Sequence, residues 1–180
     1  MKLLKFGLLA LPLVLSLSSC LNNDDPDNSY SEWRAENEQY ISSAEKSGKY
    51  SKITPDWDKT SFVLIDWVRK GDSTNKVVPL DNSTVDVVYM LTNVRGDTID
   101  SSFRLTTNGD SIYRVQPCQT CTGFRIALTN MNIGDSVTAV MPYYAGYGAL
   151  GSGSVLPFST LIFQIKLVGI PGLEKLPQSN

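Results

Sequence analysis

The residues from position 61 onward alternate between apolar and polar side chains with the two-residue period of β-strands. Leu161, Phe163 and Ile165 show this alternation near the C-terminus, and it is typical of a strand with one buried face. The candidate strands are residues 61–68, 85–94, 111–116, 136–141 and 161–168. Residues 123–131 have the one good helical pattern among them. Many antiparallel strands around a single helix predict an α+β domain.

A second helical pattern precedes the strands, within residues 31–60. Its apolar side chains recur at helical spacing, at Trp33, Tyr40, Ile41 and Ala44. Ser29 and Glu32 have the spacing of a capping box, and Gly48 is suited to end the helix. We expect this N-terminal helical extension to pack on the domain that follows it; binding of a partner is the alternative.

Residues 1–19 predict a secretory signal peptide rather than part of the fold. Lys2 and Lys5 supply positive charge, and the apolar run of residues 6–17 is short for a membrane span. The run ends in LSSC, which resembles the bacterial lipobox, whose cysteine is acylated. We therefore expect Cys20 to carry a lipid anchor to the membrane. An ordinary signal peptide with a coincidental cysteine is the alternative.

Residues 20–30 are polar, contain Pro26 and predict a flexible tether. Leu21, rather than aspartate, follows the cysteine, and the lipobox resemblance then implies the outer membrane, with the domain on its periplasmic or surface face. Asp24 and Asp25 fit a surface-export signal and an ordinary acidic tether equally well. At the other end, residues 171–180 predict a frayed tail.

The composition excludes several classes of chemistry. The sequence has no histidine, which removes His-based triads, His-ligated zinc and HExxH peptidases. Its 3 cysteines are too few for an all-cysteine tetrahedral metal site. With 16 basic and 18 acidic side chains, the net charge of −2 indicates no basic face for nucleic acid. We predict neither a metal site nor a nucleic-acid partner.

Two short motifs suggest chemistry that their surroundings do not favour. Residues 146–151 (GYGALG) fit GxGxxG, but a Ser-Gly-Ser run and Pro157 follow where a nucleotide-binding helix should start. No cofactor is predicted. Cys118 and Cys121 form a CxxC motif, which in an exported protein can be a disulfide, two free thiols or a redox pair. The disulfide is our leading interpretation, because the βαβ pattern of a thioredoxin-like site is missing.

Three segments together carry a family resemblance. They are residues 96–102 (GDTIDSS), 123–134 (GFRIALTNMNIG) and 142–163 (PYYAGYGALGSGSVLPFSTLIF). In order and spacing they resemble the FKBP-type peptidyl-prolyl cis-trans isomerases, over residues 61–170. The matching positions include Asp100, Ser101, Ser102, Met131, Gly134, Pro142, Tyr147, Gly148, Leu156, Pro157, Leu161, Phe163 and Leu167. The resemblance implies an antiparallel sheet wrapped around one short α-helix, prolyl isomerase activity, and proline-containing polypeptides and macrolides as ligands.

The same resemblance implies roles for individual residues. Asp100 matches the acidic residue beside the twisting carbonyl, and Tyr147 matches the tyrosine whose hydroxyl donates to the substrate. The implied substrate-binding residues are Tyr89, Ile99, Thr120, Cys121, Phe124, Val155, Leu156 and Phe163. Among them, Cys121 would offer its backbone N–H to a ligand carbonyl and Phe124 would form the pocket floor. Tyr113 is a further aromatic candidate.

Four positions depart from the family pattern. Ile99 stands for an aromatic residue, Phe124 for a tryptophan, Arg104 lies one position from the arginine that partners the acid, and Gly146 alters the loop before Tyr147. These departures predict weak activity rather than a different fold. The sequence therefore predicts a monomeric, exported, lipid-anchored prolyl isomerase that assists the folding of envelope proteins. A non-catalytic binding or chaperone module and a redox role for the CxxC motif are the alternatives.

Overall fold

The structure is a computed structural model that describes residues 29–71, 76–104 and 111–172. The predicted signal peptide, Cys20, most of the predicted tether and residues 173–180 of the predicted tail lie outside the described residues. No helix within these three ranges combines the length and the apolar character needed to cross a membrane.

The described residues form seven strands and two α-helices. The strands are β1 (Ser51–Ile53), β2 (Val63–Arg69), β3 (Val85–Thr92), β4 (Thr98–Ser101), β5 (Tyr113–Val115), β6 (Ser136–Met141) and β7 (Leu161–Gly169). The helices are α1 (Ser31–Lys46) and α2 (Thr122–Leu128). Single 3-10 turns cover Ser102–Arg104, Pro117–Gln119 and Tyr143–Ala145. The α+β class predicted from the sequence is therefore confirmed.

All strand pairs are antiparallel, in the order β1-β2-β6-β7-β3-β4, and β5 also pairs with β3. Strand β3 is therefore hydrogen-bonded to three other strands. Its register sets Leu91 opposite both Asp100 on β4 and Phe163 on β7, and sets Val87 opposite Tyr113 on β5. This pairing brings side chains from four distant parts of the sequence to one end of the sheet.

Helix α2 packs on one face of the sheet. Phe124, Ile126 and Leu128 are buried there against alternate residues of the strands, such as Val87 and Ile165. The helix approaches β6 so closely that a Cβ added at Gly123 would lie 2.4 Å from the Met141 sulfur. Burial of these side chains supplies the main hydrophobic contribution to folding.

Helix α1 packs on the opposite face. Ile41 and Ala44 contact Phe62, Leu64 and Val140 in a second apolar cluster. Leu64 and Val140 face away from α2, because their neighbours along each strand belong to the first core and successive strand residues point to opposite faces. Each face of the sheet thus carries one helix, and the expectation that α1 packs on the following domain is met.

Local capping differs from the sequence prediction at one end of α1. The N-cap residue is Tyr30, with no side-chain cap, whereas the predicted capping box places the N-cap at Ser29. At the other end, Ser47 is the C-cap and Gly48 has φ +70°, a conformation that glycine adopts without steric cost.

Strand lengths also differ from the predictions. Strands β1 and β4 were not predicted, because β1 has three residues and Ile99 is the only apolar residue of β4. Strand β1 forms by hydrogen bonding to β2, and β4 forms by hydrogen bonding to β3, although neither sequence has a clear strand pattern. Helix α2 was predicted to reach residue 131, but it ends at Leu128. Just after this end, the Thr129 hydroxyl donates to the Arg125 carbonyl oxygen at 2.9 Å.

Candidate active site

Seven of the ten residues predicted for catalysis or substrate binding line one cavity of about 210 Å³. They are Tyr89, Asp100, Thr120, Cys121, Phe124, Tyr147 and Phe163. Tyr113 also lines it, together with Leu91 and Gln119, which were not predicted. Leu91 could have been found from the alternation of β3, which sets it on the same face as Tyr89. Nothing in the sequence singles out Gln119, an exposed residue of a 3-10 turn.

Aromatic rings form the floor of this cavity. The Phe124 and Phe163 ring centroids lie 4.8 Å apart, and the Tyr89 centroid is 5.9 Å from each. Tyr113 approaches Tyr89 at 5.5 Å. These are edge-on or tilted contacts, which aromatic pairs favour. Phe124 and Phe163 are 3% and 5% exposed, so the floor is apolar and continuous with the core.

A tyrosine–aspartate pair forms one side of the cavity. The Tyr89 hydroxyl donates to Asp100 Oδ2 at 2.7 Å, and the Ser101 backbone N–H donates to Asp100 Oδ1 at 2.7 Å. Burial and the bond to Asp100 both raise the pKa of Tyr89. Tyr89 is therefore a protonated donor at neutral pH, and it holds the carboxylate in one orientation.

The Tyr147 hydroxyl faces the cavity without a hydrogen-bond partner among the described residues. Burial raises the pKa of Tyr147, so the group is a neutral donor at physiological pH. Two backbone hydrogen bonds of the neighbouring Gly148 hold the loop that carries Tyr147. The Gly148 N–H donates to the Tyr143 carbonyl oxygen at 2.8 Å, and the Phe158 N–H donates to the Gly148 carbonyl oxygen at 3.1 Å. Gly148 has φ +71°, which favours glycine after the tyrosine.

Both cysteines of the CxxC motif are free thiols, which corrects the predicted disulfide. Cys118 is exposed, with its sulfur 4.0 Å from Gln116 Oε1, whereas the Cys121 sulfur lies 3.9 Å from the Met141 sulfur. The two side chains therefore have different surroundings, since Cys118 is exposed and Cys121 is partly buried against the core. Burial raises the pKa of the Cys121 thiol, which keeps it protonated and argues against redox reactivity.

The backbone donors of this segment differ in availability. The Thr120 N–H donates to the Pro117 carbonyl oxygen at 3.1 Å and is already used. The Cys121 N–H donates to no other described residue and approaches only its own sulfur. Of the two, Cys121 is the one that can bind a carbonyl oxygen from outside.

A second cavity of about 300 Å³ adjoins the first, sharing Leu91, Asp100 and Tyr147 with it. Ile99 and Val155 line this second cavity rather than the first, together with Arg104, Ser152 and Ser154. Leu156 lines neither one and is 48% exposed. Asp100 and Tyr147 thus stand at the junction of a continuous groove.

A larger cavity, of about 400 Å³, lies elsewhere, on the sheet face away from α2. Val88, Met90 and Phe103 line it with Gln164 and Lys166, and its lining contains no carboxylate. Tyr89 is the one predicted site residue that borders it. We assign the candidate active site to the smaller groove, because the polar groups converge there. Within the described ranges, no cluster of metal-ligating side chains is present.

Comparisons with known proteins agree with this assignment. The sequence profile of the FKBP-type peptidyl-prolyl cis-trans isomerases matches residues 75–168. FK506-binding protein 2 of Aspergillus oryzae is 33% identical over 112 residues, which are 62% of this chain and 81% of that protein. FK506-binding protein 1A of Neurospora crassa is 31% identical over 109 residues, 59% of this chain and 87% of that protein.

Solved structures share the fold. A peptidyl-prolyl cis-trans isomerase from Pseudomonas syringae has a TM-score of 0.63 at 22% identity, covering 82% of this chain and 97% of the other. FkpA from Escherichia coli has a TM-score of 0.63 at 25% identity, covering 80% of this chain and 63% of the other. Because the family profile spans more than half of the sequence and the curated relatives exceed 30% identity, this chain belongs to the FKBP-type peptidyl-prolyl cis-trans isomerases and is an isomerase of that class.

Proposed function

We propose that this chain is an exported, lipid-anchored prolyl isomerase that assists the folding of cell-envelope proteins, with the groove at Asp100 and Tyr147 as its active site. One observation carries the catalytic part of the proposal. An unpartnered hydroxyl, an oriented carboxylate and an apolar aromatic floor meet at a single cavity.

The reaction needs no nucleophile. Rotation about a peptide bond is opposed by amide resonance, with a barrier of about 18–20 kcal/mol, and prolyl bonds exchange isomers in tens to hundreds of seconds. No covalent bond is made or broken. A catalyst must therefore bind the twisted amide more tightly than the planar one, which a site without histidine can do.

The floor of Phe124 and Phe163 would receive the pyrrolidine ring. A planar amide is polar, because resonance moves electrons from nitrogen to oxygen, and a twisted amide has lost much of that charge separation. Transfer from water to an apolar site therefore costs the planar form more than the twisted form. The Asp100 carboxylate acts in the same direction, because it disfavours negative charge on a nearby carbonyl oxygen.

Two donors would hold the flanking carbonyl groups of the substrate. The Tyr147 hydroxyl and the Cys121 N–H are both available to ligands. Because both donors are held by turns, they need little reorganisation when the substrate binds. The second cavity, with Ile99 and Val155, would take a residue next to the proline. Macrolides that occupy the same groove would compete with peptide substrates.

Export and anchoring rest on residues 1–30 of the sequence. The lipobox-like LSSC and the polar tether support an enzyme tethered through Cys20 on the outer membrane, and we propose that it is monomeric. Acylation adds about 0.8 kcal/mol of membrane affinity for each buried CH₂, and several chains on one cysteine make a stable anchor.

The test is a protease-coupled or fluorescence assay of a proline tetrapeptide with the purified protein. We expect acceleration at micromolar enzyme, and a clear loss in the Asp100→Asn variant. This substitution keeps the shape of the side chain and an acceptor for the Tyr89 hydroxyl while it removes the charge. Wild-type protein that fails to accelerate isomerisation but suppresses aggregation of unfolded proteins would replace this proposal with a chaperone function.

A further inference from the structure

Helix α1 is hydrogen-bonded to the end of the loop that carries Tyr147. The Thr160 N–H donates to Asn37 Oδ1 at 2.6 Å, and the Thr160 hydroxyl donates to the Asn37 carbonyl oxygen at 3.2 Å. Both residues are 1% exposed. A buried donor that loses its partner costs more than an exposed one, so these bonds tie residue 160 to the helix.

A relay of hydrogen bonds continues toward the substrate groove. The Trp33 indole N–H donates to Ser159 Oγ at 3.1 Å, and the Ser159 hydroxyl donates to the Leu156 carbonyl oxygen at 2.7 Å. Leu156 follows Val155, which lines the second cavity. The helix therefore reaches the segment that borders the groove through one intervening side chain.

Phe158 connects the helix with the Tyr147 turn. Its φ is +58°, in the left-handed region that bulky residues rarely adopt, and such backbone conformations persist where the surroundings hold them. The Arg34 guanidinium lies 4.8 Å from the Phe158 ring centroid, and the Tyr143 ring packs edge-on at 5.3 Å. In this position, the Phe158 N–H reaches the Gly148 carbonyl oxygen, one residue beyond Tyr147.

The same helix also contacts the turn that leads into the opposite wall of the groove. Arg95, in the turn before β4, pairs with both carboxylate oxygens of Glu36, at 3.1 and 2.6 Å. Its guanidinium lies 4.9 Å from the Trp33 ring centroid. The turn is held internally, because Asn93 Oδ1 accepts from the Arg95 and Asp97 backbone N–H groups at 2.9 and 3.0 Å. Strand β4, which carries the aspartate of the site, follows directly.

We infer that α1 is a brace that fixes the separation between the Asp100 wall and the Tyr147 wall of the groove, with Asn37 and Trp33 as positioning residues. The helix lies outside residues 75–168, where the family profile matches, so the brace is not part of the region that the profile describes. Its kinetic consequence rests on the proposed function, whereas its effect on the loop does not.

The first test measures the loop itself. Asn37→Ala in the purified protein removes the acceptor of the Thr160 N–H, and we expect faster hydrogen–deuterium exchange over residues 143–160. The matched control is Ile41→Ala, which removes packing of α1 against Phe62, Leu64 and Val140 but leaves the Asn37–Thr160 and Trp33–Ser159 hydrogen bonds in place. Trp33→Phe, which removes the indole donor together with part of the ring, serves as a second variant if Asn37→Ala does not fold. The inference would be overturned if Asn37→Ala left hydrogen–deuterium exchange over residues 143–160 unchanged, or if Ile41→Ala raised it by the same amount.

The second test measures coupling to catalysis. We expect Asn37→Ala to lower kcat/KM about fivefold, as the loss of one positioning bond implies. In the Tyr147→Phe background the same substitution should lower it by less than about twofold, because the hydroxyl that it positions is already absent. Additive effects would overturn the inference, since a purely structural role leaves the two sites independent. If wild-type protein has no isomerase activity, the proposed function fails, and the exchange experiment still decides the brace.

Discussion

Replacing Tyr147 with phenylalanine tests whether its hydroxyl contributes to catalysis or to the stability of the fold. The Tyr147 hydroxyl has no hydrogen-bond partner among the described residues, and the side chain is 41% exposed. Its removal therefore breaks no bond within the described protein. We expect the free energy of unfolding to change by less than about 0.5 kcal/mol, as for surface substitutions in general.

The catalytic effect follows from the bond proposed with the substrate carbonyl. A neutral hydrogen bond contributes about 0.5–1.5 kcal/mol net. If the bond is made in the transition state, its loss lowers kcat/KM by about two- to twelvefold. The measurement is kcat/KM on a proline tetrapeptide, with the unfolding midpoint in urea measured on the same samples.

Tyr89→Phe is the matched control, because Tyr89 donates its hydroxyl to Asp100 rather than to a ligand. We expect this variant to lose about 1 kcal/mol of stability, since its half-buried hydroxyl bonds a carboxylate. Two results would refute the reasoning. One is a Tyr147→Phe variant with kcat/KM within measurement error of wild type, and the other is a stability loss as large as that of Tyr89→Phe.

Three further predictions concern the floor, the thiols and the anchor. Phe163→Ala should cost about 3–5 kcal/mol of stability, measured in urea, because it opens a cavity beside Phe124; a loss below 1 kcal/mol would contradict a packed floor. Burial raises the pKa of Cys121, so its contribution to stability is complete below the unfolded-state pKa of about 8.5 and declines as pH rises above it. Urea denaturation between pH 7.5 and 9.5 should show this slope in wild type and a smaller one in Cys121→Ala, and iodoacetamide should alkylate Cys118 first. Cys20→Ser should release the protein from the membrane fraction of cells; retention there would refute lipid anchoring through this residue.

Much of the site follows from patterns that are local in the sequence. The alternation of β3 and β7 sets Tyr89 and Phe163 on inward faces, and glycine beside Tyr147 marks a turn that exposes the hydroxyl. Strand β4 was not predicted, because Ile99 is its only apolar residue and β3 provides its hydrogen bonds. The predicted disulfide failed for a related reason. The spacing of Cys118 and Cys121 permits a bond, but the direction of each side chain depends on what packs around it.

The sequence alone determined the fold class and the buried face of the strands that alternate clearly, because these depend on periodicity, whereas its resemblance to a known family indicated the residues of the site. The tertiary structure decided which of them meet. Asp100 and Tyr147 border one groove because β3 pairs with β4 and because the loop before β7 folds back on the sheet. The contacts of α1 with Arg95 and Thr160 join positions more than fifty residues apart, and contacts at such separation leave no local pattern from which they can be predicted.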